Sequence, residues 1–193
     1  MKDSAGLFSK TSGAIALAGA NILSAKIFTL KTGKAIQIFN IQDADGTAFD
    51  KPDKLARLAV FLNQAAEDEI DLSREIAKTR LPYPSRMEVF KVPPKVYVEN
   101  KVSTNHTVVE VSGRDRIGFL YRVTKALYDL GLTISTAHIS TYGERAVDVF
   151  YVKDMFGMKI FHESKIRQIQ ERMLETLSGN MAKQGTKEAV SDA

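Results

Sequence analysis

Two short strings place a carboxylate three residues ahead of a glycine and an apolar pair: Asp3-Ser-Ala-Gly6-Leu-Phe8 and Asp115-Arg-Ile-Gly118-Phe-Leu120. Such a loop, running into a helix, has the chemistry to hold a zwitterion. The carboxylate takes an ammonium. The helix N-terminus, with its unpaired N–H groups and dipole, favours an anion by roughly 0.3–1 kcal/mol. Glycine has no Cβ, so the backbone can approach a ligand closely. A blander reading stands beside this one: Asp3 and Asp115 cap their helices, as Asp often does, and Gly6 and Gly118 only serve the turn. Capping does not exclude binding.

Other groups offer less. There is no cysteine, which excludes disulfides and thiolate metal sites. None of the three histidines, His106, His138 and His162, precedes an Asp, and His138 reads as a residue of a sheet. Asp43-Ala-Asp45 is a carboxylate pair followed by Gly46, and reads as a turn. Asn105-His-Thr107 matches a glycosylation sequon, without meaning where no secretory signal precedes it. No catalytic residue and no metal ligand is assigned.

The elements that position the two loops repeat as well. Holding a shift of 112 residues, Ala14-Ile15 falls on Ala126-Leu127, Gly19 on Gly131, Ile22 on Ile134, Ala25 on Ala137 and Ile27 on Ile139. One residue is then lost, and at a shift of 111 Ala35, Phe39, Ile41, Asp43 and Gly46 fall on Ala146, Phe150, Val152, Asp154 and Gly157. After each loop, Leu7, Phe8, Thr11, Ala14, Ile15 and Ala18 have helical spacing, as do Phe119, Leu120, Val123, Ala126, Leu127 and Leu130. Gly19 and Gly131 stand where a helix end needs a left-handed residue. Two strand-like runs follow in each copy, Ile22–Leu30 with Lys34–Gln42 and Thr133–Thr141 with Arg145–Lys153, joined by Thr-Gly and Tyr-Gly turns.

A second helix is predicted in each copy. In the first, Asp50-Lys-Pro52-Asp53 supplies a cap-like start and Leu55, Leu58, Ala59 and Leu62 the buried stripe. In the second the stripe is Ile166, Ile169, Met173, Leu174 and Leu177. His106–Ser112 is a strand that opens the second copy, and the first lacks its equivalent. The expected fold is α+β: two ferredoxin-like βαββαβ modules with antiparallel sheets and helices on one face, the first lacking its opening strand.

The boundaries follow: a first module over 1–79, a Pro-containing linker and connecting strand over 80–105, a second module over 106–177, and a polar, disordered tail over 178–193. Four of the five prolines lie in Arg80–Pro84 and Val92–Pro94. Lys95–Asn100 alternates like a strand, able to close the first module or to extend a sheet shared by both.

Lys+Arg 27 against Asp+Glu 23 gives +4, with the charges interspersed along the chain. This reads as a solvated surface and not as a nucleic-acid footprint, which concentrates charge on one face. No apolar run approaches the ~18 residues of a membrane span, and the first residues are not expected to act as a signal peptide. The expectation is a cytoplasmic protein with neither nucleic acid nor membrane as partner.

Gly113-Arg-Asp115-Arg-Ile-Gly118-Phe-Leu120, with its helix, Gly131 and the Ile134 strand, resembles the signature of ACT domains, small βαββαβ modules that commonly bind amino acids. Phe90-Lys-Val-Pro-Pro-Lys-Val-Tyr-Val-Glu-Asn100 followed by Asn105-His-Thr-Val-Val-Glu-Val-Ser-Gly-Arg-Asp115 resembles more narrowly the C-terminal ACT pair of bifunctional PII uridylyltransferase/uridylyl-removing enzymes. That resemblance implies a regulatory region sensing an amino acid, glutamine in this family, whose partner through the full-length enzyme is the PII signal protein. It also implies that the two modules pair.

The catalytic parts of that family are not found in this chain. No Gly-Ser dipeptide is present for a nucleotidyltransferase, and no His-Asp dyad for the hydrolase. No cofactor is expected in this chain, and Mg²⁺ only in the missing catalytic domains. The expectation is therefore a C-terminal fragment or partial reading frame, with a free-standing ACT-pair regulator as the alternative. Ile117 replaces the usual proline of the loop, and Asp3-Ser-Ala-Gly6 lacks both Arg and Pro.

The resulting ligand-binding set is Asp115, Arg116, Gly118, Phe119, Asn21, Asp3, Gly6 and Thr133. Asp115 takes the ammonium, and N–H groups around Gly118 and Phe119 take the carboxylate. Asn21 resembles a ligand-facing position of ACT domains, able to read a side-chain amide, and its counterpart Thr133 has only a hydroxyl. Asn21 also has a local reading, as a cap. If the modules pair side by side, each loop faces the other's strand, and the 115–119 loop with Asn21 is favoured over the reverse. A rival is an RNA-binding ferredoxin-like module, for which Phe150-Tyr151 offers one aromatic pair, flanked by Asp148 and Asp154.

Overall fold

The helical and alternating apolar patterns resolve into elements over residues 6–29, 35–79, 93–142 and 145–178, which the computed structural model describes. The first half holds α1 (Leu7–Ala18), β1 (Ala20–Thr29), β2 (Ala35–Asp43), α2 (Pro52–Ala66) and α3 (Leu72–Lys78). The second holds β3 (Lys95–Glu99), β4 (Thr107–Arg114), α4 (Phe119–Asp129), β5 (Thr133–Tyr142), β6 (Arg145–Lys153) and α5 (Glu163–Ser178).

The repeat holds down to backbone detail. β1 pairs antiparallel with β2, and its register slips between Ile22 and Ser24; β5 pairs with β6 and slips between Ile134 and Thr136, the equivalent place. Such bulges bend a strand locally. The turn after β2 bonds Asp43 N–H to Thr47 O and Gly46 N–H to Asp43 O, and the turn after β6 repeats this with Asp154, Met158 and Gly157. Gly6 and Gly118 both start their helices at positive φ, 88° and 73°. Glycine reaches that region without the Cβ penalty.

The second sheet has the order β3-β4-β6-β5. β3 pairs antiparallel with β4, Lys95 opposite Ser112 and Glu99 opposite Val108. A βαββαβ module gives that seat to its last strand, so the connecting strand closes the second module from upstream. β1 and β2 form a two-stranded sheet, with no further strand beside β2 among the described residues. β1 runs alongside β5, and α1 lies against α4. One core therefore spans both halves: Phe8, Ala25 and Ile27 pack with Val109, Leu127 and Phe150. Phe8 stacks on Phe39 at 5.2 Å between ring centroids. Each large apolar side chain buried there stabilises the fold by roughly 1.5–3 kcal/mol, which ties the halves together.

Several local expectations change. α2 buries Leu58, Phe61, Leu62 and Ala65 to differing extents, and leaves Leu55 and Ala59 exposed. Both sets obey the same i, i+3, i+4, i+7 spacing, and the one that is seated carries the larger Phe61. The residue before Pro52 at its start is Lys51, with no side-chain cap. On α5, Leu174 is exposed and Thr176 is buried in the stripe. α3 was not foreseen; Asp71 caps it by accepting from Arg74 N–H at 3.1 Å. Asp3, the Thr32-Gly33 turn, Gly143, most of the proline-rich stretch and the tail after Ser178 lie outside the described residues.

Candidate functional site

Laying α1 against α4, and β1 beside β5, brings each loop of one half toward the strand of the other. The two resulting corners differ. The 115–119 loop, Gly19 to Ile22 and the α1 residues Ser12, Ala16 and Leu17 enclose a cavity of about 420 Å3. Gly6, Leu7 and Phe8 meet Leu132, Thr133 and Ile134 around a space of only about 40 Å3. Small-molecule sites run to some 300–1,000 Å3, so only the first corner has room for a metabolite. The expected set is thus divided: Asp115, Arg116, Gly118, Phe119 and Asn21 line the open cavity, and Gly6 and Thr133 the closed one.

A third, shallower groove of about 510 Å3 runs between α3, Lys10 and Lys125. Its charges are already engaged: Lys10 with Asp68 at 2.7 Å, and Lys125 with Asp129 at 2.8 Å.

The loop of the open cavity is built tightly. Phe119 N–H donates to Arg116 O at 2.8 Å, and Arg122 N–H to Gly118 O at 3.0 Å. The Phe119 N–H is therefore engaged within the turn, which leaves the next first-turn groups of α4, those of Leu120 and Tyr121, to face an anion. Gly118 is the residue at the helix start, and no side chain caps α4. Asp115 is thus not the cap. It stands exposed at the cavity mouth. Its carboxyl is held above the usual carboxylate range by the atoms crowding it, against the Arg116 N–H that favours the charged form. Asn21 is also exposed, which puts it at the cavity's edge.

α3 rests on this loop. A Cβ on Gly118 would fall 2.7 Å from Ile76 Cγ2, and Ser73 Oγ shares a 2.7 Å hydrogen bond with Tyr121 Oη. Thr79, just beyond α3, reaches the cavity itself. Arg57 lines it too, donating to Leu17 O at 3.3 Å and lying 5.3 Å over the Phe61 ring.

The residue that sequence reasoning passed over is Asp148. It lies on β6 in the buried alternation Ala146, Asp148, Phe150, Val152, is 1% exposed, and lines the open cavity. Burial pushes its carboxyl up to about 8; Asp115 adds to the rise, and the Ser140 N–H offsets it in part. The available signal was a charged residue on the apolar face of a strand pattern, where unpaired charge is costly.

Asp43-Ala-Asp45 is a turn, as its sequence suggested. Asp43 Oδ1 accepts from Ala44 N–H, Asp45 Oδ1 accepts from Thr47 N–H and Oγ1–H, and Lys54 pairs with Asp43. The aromatic pair of the RNA reading is split. Phe150 is wholly buried, and Tyr151 packs edge-on between the His106 and His138 rings. No described group of three or more His, Cys, Asp or Glu could hold a metal ion, and no described helix is long and apolar enough to cross a membrane.

Residues 102–179 match the family model described as the ACR family N-terminal ACT domain. Along most of its length the chain is similar to three proteins named bifunctional uridylyltransferase/uridylyl-removing enzyme. That of Azospirillum brasilense is 51% identical over 91% of this chain and 19% of its own length. That of Rhodospirillum rubrum is 49% identical over 89% and 18%, and that of Gluconobacter oxydans 45% over 91% and 19%. The chain therefore spans about a fifth of the length of the curated relatives it matches.

Proposed function

We propose, because residues 102–179 match an ACT-domain family model and about nine-tenths of the chain aligns with those relatives, that it is the amino-acid-sensing regulatory region of a bifunctional uridylyltransferase/uridylyl-removing enzyme of nitrogen metabolism, with glutamine as its ligand. The parent enzyme would act on the PII signal protein, and this region would bias its two opposed activities.

The observation that carries the reading is the cavity of about 420 Å3 between the 115–119 loop and the start of β1. It combines an anion-favouring helix N-terminus with carboxylates, which suits a zwitterion. The carboxylate of glutamine faces the first turn of α4, its ammonium faces the carboxylates, and its amide reaches toward Asn21. Arg116 stands at the same wall and adds positive charge for the ligand carboxylate.

The output runs through α3. Ile76 sits on Gly118 and Ser73 on Tyr121, so a ligand that reorders the loop also shifts the helix resting on it. A ligand moves such an equilibrium only by its differential affinity for the two arrangements. Calorimetry of this chain with a panel of amino acids tests the reading. L-Glutamine is expected to bind at one site, and Asp115→Ala to weaken it on the order of 10-fold. No binding of any amino acid, or unchanged affinity in Asp115→Ala, would reject respectively the sensor and this site.

A further inference from the structure

A buried carboxylate needs a cation or a hydrogen-bond donor; neither Asp148 oxygen has a partner at full hydrogen-bond geometry, and the Ser140 N–H offsets its burial only in part. An unpaired charge in such a place is costly enough that the group normally stays neutral. Its neighbours on β6, Ala146 and Phe150, belong to the core, so nothing about packing asks for a carboxylate there. It lines the open cavity, whose other charged lining residues are Asp115, Arg116 and Arg57. The equivalent position in the first copy, at a shift of 111, is Gln37, a neutral residue lining the closed corner. Charge therefore goes with the cavity that has room. Two carboxylates at one cavity are too few for a metal, and no described cluster supplies more.

We propose that Asp148 is the inner ammonium subsite of this cavity, and that it makes the cavity selective for primary-amine zwitterions over acids that lack the amine. This rests on the sensor reading above and adds the atom that recognises the amine. Asp115, at the mouth, meets the ammonium on entry, and Asp148 holds it inside. The carboxyl of Asp148, neutral in the empty cavity at pH 7, releases its proton to solvent when the ammonium takes its place. The charged pair then forms away from water, where it is strong. Asp115 opposes ionisation of Asp148 in the empty cavity, and Arg116 and Arg57 are the cations that share the lining with both.

Calorimetry with L-glutamine and with glutaramic acid, the same molecule without its α-amine, tests this on the intact chain. At pH 7, in buffers of different ionisation heat, glutamine is expected to release about one proton per molecule bound. Glutaramic acid is expected to bind about 100-fold more weakly and to release none. Asp148→Asn is expected to lose that 100-fold preference and the proton release, with thermal melting reporting on its fold. If the variant does not fold, the wild-type proton count and the analogue comparison decide alone. Equal binding of the two ligands by the wild type, or glutamine binding without proton release, overturns the subsite and leaves the sensor standing. Binding of neither ligand overturns both.

Discussion

Tyr128 lays its ring over Gly6, where an added Cβ would sit 3.6 Å from the ring carbons, whereas its counterpart at a shift of 112 is Ala16, which lines the open cavity. One corner of the paired modules is thus filled by an aromatic ring, and the other is left open by a methyl group. The asymmetry between the two copies reduces here to the size of one side chain on each of two packed helices.

Ala16→Tyr should therefore close the open corner. Glutamine affinity measured by calorimetry is expected to fall at least about 10-fold, on the order of 1.4 kcal/mol. The far-ultraviolet spectrum should be retained, because the change leaves the sheets untouched. Affinity unchanged in a folded variant would place the ligand elsewhere.

Gly118 is held twice, by its positive φ of 73° and by Ile76 Cγ2 lying 2.7 Å from where a Cβ would stand. Gly118→Ala is expected to cost about 1–3 kcal/mol in urea unfolding, through backbone strain and overpacking together. Adding Ile76→Ala should relieve the steric part, so that the double variant loses less than the sum of the two singles. Strict additivity would mean that α3 does not rest on the loop.

The carboxyl of Asp148 is raised from 3.8 to about 8 in the folded chain. The folded state binds the extra proton between those values, so its contribution to stability is full below about pH 4 and is lost as pH rises to 8. Above that it is constant. Ligand-free protein is expected to melt progressively lower from pH 5 to 8.5, and Asp148→Asn to flatten that decline. At about 2–4 °C per kcal/mol for a chain of this size, differential scanning calorimetry resolves the effect. Parallel curves for the two proteins would show that Asp148 is not the group titrating.

The α+β class, the duplicated order of elements and the two glycine-turned loops were legible in the chain itself. Apolar spacing and the need for a left-handed glycine act over a few residues, and the match between Asp3–Gly46 and Asp115–Gly157 exposes them twice. The same locality explains the misplaced stripe of α2, since Leu55 and Phe61 satisfy one spacing rule equally well. What needed the tertiary structure was every choice between distant groups. β3 closes the second sheet because its partner is β4, a seat its own alternation could not name. Ala16 leaves a cavity and Tyr128 fills one only once α1 lies on α4. Asp148 is a flanking charge in the sequence and a buried carboxyl in the fold, because the residues that strip it of water come from strands, helices and a loop scattered along the chain. Short-range propensities set the parts; long-range packing decided which corner could hold a ligand.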